Sequence, residues 1–139
     1  MNKELSAQLT QVLEQGYKIA EQYDLPQVSD TCLMMALTSD AKSAIVELFF
    51  SANIDLNDYR KKLVEQIANL QASNVATFSS TKELGLDTKR LLRMAQLEAR
   101  LVSSPFVEGE HLLLAFLRDR RNLPARLLKS LGLDYNRLL

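Results

Sequence analysis

Residues 5–60 of this 139-residue chain align without a gap on residues 84–139, at a constant offset of 79. A chain that repeats itself in this way is restricted to stacking two like units against each other. Twelve of the 56 pairs are identical, among them Leu13/Leu92, Ala20/Ala99, Leu33/Leu112, Ala36/Ala115, Leu48/Leu127, Asp55/Asp134 and Asn57/Asn136. Pro26-Gln27-Val28 falls on Pro105-Phe106-Val107, so the helix breakers agree as well as the apolar positions.

Each repeat reads as four helices. With only 4 Gly, 3 Pro and no Trp, and with many Leu, Ala, Gln, Lys, Glu and Arg, the composition favours helix. No stretch shows the alternation and turn pairs of a hairpin. In repeat one, Leu5, Leu9, Val12, Leu13, Ile19, Ala20 and Tyr23 form a 3.6-period stripe with Ser6 as N-cap. Asp24-Leu25-Pro26 stops it, because the residue before proline avoids the α region. Asp30 is the expected cap of a second helix, Thr31 to Leu37; Ser43 to Ser51 is the third, closing on a left-handed Asn53. Asp55 caps a fourth, reaching about Asn69, and the polar stretch Gln71 to Ser80 is the expected linker. Repeat two has helices at about Asp87 to Val102, or from a Ser80-Thr81-Lys82-Glu83 capping box, and at Glu110 to Leu117. A third starts near Leu123-Pro124, Gly132 matches Asn53, and Asp134 caps a last helix. Adding 79 to Asn69 puts that helix's end about nine residues beyond Leu139, so the expectation is a truncated last helix and a domain of a longer polypeptide. The predicted fold is all-α, one domain over 1–139: repeat one 5–70, linker 71–80, repeat two 81–139.

Several function classes are excluded. One cysteine and one histidine leave no disulfide framework and no Cys- or His-rich metal site. The longest apolar run, Leu112 to Leu117, is far short of the roughly 20 residues that span a bilayer. The N-terminus is no signal peptide, so the expected compartment is the cytoplasm, with no membrane partner. Neither G-x-x-x-x-G-K-[ST] nor G-x-G-x-x-G is present, nor G-x-S-x-G or H-E-x-x-H, and no cofactor is expected.

Three constellations remain. Cys32 and His111 suggest a nucleophile and a base, but they are equivalent positions of the two repeats and read as first-turn packing residues. Met34, Met35 and Leu112 to Leu114 read as core. Arg118-Asp119-Arg120-Arg121, with Arg126 and Lys129, could be a solvated loop or a docking site for an acidic or phosphorylated partner. Aromatics do not interleave with these arginines, which speaks against nucleic acid.

Repeat two carries a resemblance. Leu91-Leu92-Arg93-Met94-Ala95-Gln96-Leu97-Glu98-Ala99-Arg100, then Glu108-Gly109-Glu110-His111-Leu112-Leu113-Leu114-Ala115-Phe116-Leu117, then Pro124 through Asp134, closely resemble the Clp N-terminal domain. That family's pattern is a helix ending in E-A-R, a G-T-E-H-L-L-L-[AG]-L segment and a helix closing on L-G-[VI]-D. Repeat one, with Thr31-Cys32-Leu33-Met34-Met35-Ala36-Leu37, is a degenerate match. The resemblance implies a mobile N-terminal domain of an AAA+ unfoldase, most like ClpC- or ClpA-type subunits of the ATP-dependent Clp protease. Such a domain captures protein substrates and adaptors for the ATPase rings that follow it, which can feed a Clp peptidase. The alternatives are a free-standing regulatory Clp-repeat protein and the N-terminal domain of a ClpB-type disaggregase; a small enzyme using Cys32 or His111 is the rival from another class. Some members dock phosphorylated arginine through the Glu of each G-T-E-H. Glu110 keeps that acid while Thr31 takes its place in repeat one and Gly109 replaces the family Thr, which implies at most one such site. The candidate docking residues are therefore Glu110, Thr31, Arg118, Arg120 and Arg121, on a domain expected to be monomeric.

The neutral total hides an asymmetry. Residues 1–60 hold 4 basic and 9 acidic side chains, and residues 61–139 hold 13 and 8, so the halves carry −5 and +5. Charge-guided, salt-dependent binding is expected on the second half.

Overall fold

The computed structural model describes residues 4–39, 44–73, 83–119 and 121–133. Among these are the helices α1 (Ala7–Gln22), α2 (Asp30–Leu37), α3 (Ala44–Ser51), α4 (Leu56–Ser73), α5 (Leu86–Leu101), α6 (Gly109–Arg118) and α7 (Leu123–Ser130). The fold is all-α, and α1 with α5 and α3 with α7 keep the offset of 79 at both ends. The expected last helix from Asp134 lies outside the described residues.

Helix endings repeat with the helices. Asp24 and Ser103 have φ of 53° and 54°, and Asn53 and Gly132 have 61° and 101°. Each left-handed residue turns the chain so that the next amide reaches back into the last turn. Leu25 N donates to Ala20 O and Ser104 N to Ala99 O at 2.9 Å, and Ile54 N to Phe49 O and Leu133 N to Leu128 O at 3.0 Å. These bonds satisfy carbonyls that a helix end leaves open.

Some boundaries differ from the sequence-based expectation. Ser29, not Asp30, caps α2: its backbone is extended and its Oγ accepts from Cys32 N at 3.3 Å, leaving Asp30 as the first helical residue. α4 runs on to Ser73, three residues into the expected linker. α5 starts at Leu86 with Gly85 as N-cap, and no helix begins at Glu83, because Glu83 and Leu84 are extended. α6 starts one residue early, at Gly109.

That extension belongs to a feature the sequence did not announce. β1 (Gln27–Val28) pairs in parallel with β2 (Glu83–Leu84), and Leu5 forms a parallel bridge with Val107. Gly85 N donates to Val28 O at 3.0 Å and Ser6 N donates to Val107 O at 2.9 Å. The two sets are 79 residues apart in both partners. Each half therefore binds, through the segment after its first helix, the segment that enters the other half's first helix.

α2 and α6 form the centre. Thr31 to Leu37 and His111 to Phe116 are buried throughout, so Met34, Met35 and Leu112 to Leu114 are core, as expected. α2 packs on α5 and α7 of the second half, and α6 on α3 of the first. Tyr59 on α4 is fully buried; its ring lies 5.3 Å from that of Phe49, and its hydroxyl donates to Pro124 O at 2.9 Å.

Candidate docking site

The exchange of strands sets the first turn of α2 beside the entry to α5. Thr31 is 1% exposed, and its hydroxyl donates to Asp30 Oδ1 at 3.4 Å. Asp30 and Thr31, Gln66 and Asn69 of α4, Asp87 of α5, and Arg121 and Leu123 line a cleft of about 410 Å³. Burial pushes the Asp30 carboxyl up, against the hydrogen bonds of Thr31, and the charges of Asp87 and Asp119 add to the rise. Gln66 Oε1 is buried here without a hydrogen-bond partner.

The first turn of α6 is the equivalent place in the second half. Glu108 is its N-cap, and Glu108 N donates to His111 Nδ1 at 2.9 Å. Glu110 is half-buried, and burial followed by the nearby Glu108 carboxylate raises its pKa. A Cβ on Gly109 would stand 3.2 Å from Leu37 Cδ1, so this glycine permits the close approach of α6 to the end of α2.

The basic loop is divided between two tasks. Arg118 Nε lies 2.6 Å from Oε1 of Glu98, a carboxylate only 4% exposed, so Arg118 neutralises a charge held in the protein. Glu98 occupies the position of Ile19 in repeat one. Arg121 stays 74% exposed and faces the cleft that holds Thr31. Between them, buried Asp119 accepts from Arg90 at 2.6 Å and from Arg121 N at 3.0 Å. Asn122 caps α7, accepting from Ala125 N at 2.7 Å and donating to Phe116 O and Asp119 O. Arg120 lies outside the described residues.

Of the five expected residues, Thr31 and Arg121 thus meet at one cleft. Glu110 and Arg118 sit at opposite ends of α6, about 12 Å apart along its axis. Asp30, Gln66, Asn69 and Asp87 were missed at the cleft. Nothing in their spacing marks them, because three separate helices bring them together. Glu98 was also missed, although an acid in register with Ile19 is a signal for a buried charge and its partner.

Cys32 gives no nucleophile. It is fully buried, takes a contact of 3.3 Å from the Ser29 hydroxyl, and burial pushes its thiol up, opposite to the shift a reactive cysteine needs. Among the described residues no group of His, Cys, Asp and Glu could hold a metal ion, and no helix is long and apolar enough to cross a membrane.

Comparison with known proteins adds to this geometry. The sequence matches the family described as the Clp repeat (R) N-terminal domain over residues 4–131. The chain belongs to that family. Among curated proteins it is similar to the chloroplastic chaperone protein ClpC1 of Oryza sativa subsp. japonica, at 31% identity over 108 residues. It is also similar to the chloroplastic chaperone protein ClpC of Pisum sativum, at 31% over 104 residues. These alignments take in 76% and 73% of this chain but only 11% of each relative. Among solved structures, the Hsp104 N-terminal domain from Candida albicans superposes with a TM-score of 0.80 at 13% identity, over 98% of this chain and 87% of that one. A ClpV N-domain in complex with a VipB peptide gives 0.75 at 18%, over 97% and 82%. At these identities the structural likeness speaks to the fold.

Proposed function

We propose that this chain is a substrate- and adaptor-docking domain of an ATP-dependent Clp unfoldase or chaperone, non-catalytic in itself and needing no cofactor of its own. The observation that carries the reading is membership of the Clp N-terminal family over residues 4–131. The chaperone names of the ClpC relatives and the peptide held by a ClpV N-domain support it. Its partners are protein substrates and adaptors in the cytoplasm; the ATPase rings would belong to the parent chain, and a Clp peptidase to a ClpC- or ClpA-type assembly. The docking residues in this reading are Glu110 and Arg118 on α6, Thr31 and Arg121 at the cleft, and Arg120. Tethered to the rings, a weak docking site works through effective concentration, on the order of mM for a short flexible linker.

Delivery of a tagged substrate to the parent unfoldase, with this domain present and deleted, tests the reading. Deletion is expected to lower substrate capture at limiting concentration by at least about tenfold while leaving basal ATP hydrolysis in place. Equal capture by both forms would overturn it.

A further inference from the structure

The outward stripe of α5 has a composition that the fold does not require. Leu86, Leu97 and Leu101 are 80%, 55% and 68% exposed. Lys89, Arg93 and Arg100 are exposed beside them. At 100° per residue the six positions fall within about 120° of one another, leucines along one edge and cations along the next, with Arg90, paired to Asp87 and Asp119, set among the leucines. The stripe is about 22 Å long, the length of four helical turns. Its opposite face, with Leu91, Ala95 and Ala99, is sealed in the core.

The internal repeat provides a control within the same molecule. The corresponding positions of α1 are Ala7, Lys18 and Gln22 on the first edge and Thr10, Glu14 and Glu21 on the second. Two helices with the same bounds and the same role thus differ on their outer faces, one leucine-rich and basic, the other polar and acidic. Burial in the core does not explain large apolar side chains that stay 55–80% exposed on one helix.

We infer that the outer face of α5 is a docking surface for an amphipathic helix of a partner protein, presenting leucine-type residues flanked by Asp or Glu. This deepens the docking reading above and rests on it. Charge complementarity selects the occupant: three cations spread over about 16 Å steer an acidic helix and reject a basic one, while the leucines provide the buried area. A second copy of this chain fits poorly, because the acidic face of its α1 would set Lys18 and Gln22 against Leu97 and Leu101. A membrane fits poorly too, because α5 is anchored by its buried face and offers a narrow stripe with only three leucines for insertion.

Titration of the ¹⁵N-labelled domain with two designed 16-residue helical peptides tests this. One carries leucines at the matching spacing with glutamates on the adjacent edge; in the other the glutamates are lysines. The acidic peptide is expected to shift amides along Leu86–Leu101 and to bind at least tenfold more tightly than the basic one. Leu97→Gln/Leu101→Gln should weaken it at least tenfold with an unchanged melting curve, and Lys89→Glu/Arg93→Glu should reverse the preference. Equal binding of the two peptides, shifts centred away from α5, or full affinity in the leucine variant would each overturn the inference. So would concentration-dependent dimerisation through α5 in sedimentation, or tight binding to phosphatidylserine/phosphatidylcholine vesicles without a peptide preference. If α5 fails these tests while deletion of the domain still abolishes substrate capture, the docking reading stands and this surface falls. If deletion has no effect, both fall.

Discussion

Glu110 carries a carboxyl that its surroundings make costly to charge. Burial and the adjacent Glu108 raise its pKa, so its charged form is poorly solvated in the free domain. A guanidinium laid against it would restore what solvent no longer provides, and a phosphorylated arginine supplies one. Calorimetry with phosphoarginine is expected to give measurable heat with the wild type and at least about tenfold weaker binding with Glu110→Ala. Because the carboxylate must be charged to pair, affinity should fall as the pH drops through its raised pKa. Equal weak heats for both proteins would exclude the site. The equivalent Thr31 has no charge to offer, and the nearest carboxylate in that half stands one residue earlier, on Asp30. Cys32 and His111 share a helical position for packing reasons: both are buried, and each side chain makes a polar contact with the N-cap residue three positions earlier.

At the scale of elements, the turn joining α6 to α7 is a small polar structure inside an apolar protein. Asp119 would be raised by burial alone, but the Arg121 amide and the Arg90 guanidinium more than offset this and hold it below the usual carboxylate range. A depressed folded pKa means that the stabilisation is complete above the unfolded value of about 3.9 and is lost as the pH falls through the folded one. Asp119→Ala is therefore expected to cost about 2 kcal/mol near neutral pH, read from urea midpoints, by removing the buried acceptor at 2.6 Å and leaving Arg90 only the exposed Asp87 at 3.4 Å. The cost should shrink in acid as the wild-type carboxylate takes up its proton. The helices on either side of this turn were readable beforehand from Leu and Ala periodicity and from Gly132, which a left-handed cap favours. The Ser29 cap was not, since Ser29 and Asp30 are both good caps, and only the backbone path from the paired Val28 decides which residue stays extended.

On the scale of the whole molecule, the halves are bound by exchange as well as by contact. Val28 pairs with Leu84 and Leu5 with Val107, α2 packs on α5 and α7, and Tyr59 of the first half bonds Pro124 of the second. Neither half completes its own helix entries, so one cooperative transition is expected, with calorimetric and van't Hoff enthalpies in agreement. Residues 1–82 and 83–139 expressed apart should show little helix by circular dichroism and regain it on mixing; a separately folded fragment, or two transitions, would contradict this. The opposite charges of the halves, −5 and +5 about a neutral total, have a structural expression in the outer faces of α1 and α5. The sequence by itself determined the helices, their order, the doubling of the plan and the buried stripes of α2 and α6, because helical periodicity and breaker residues act over a few neighbours. Only the tertiary structure decided the two-residue strand exchange, the cleft assembled from Thr31, Gln66, Asp87 and Arg121, and the commitment of Arg118 to Glu98. Strands of two residues have no periodicity to read, and residues brought together by three different helices share no spacing along the chain.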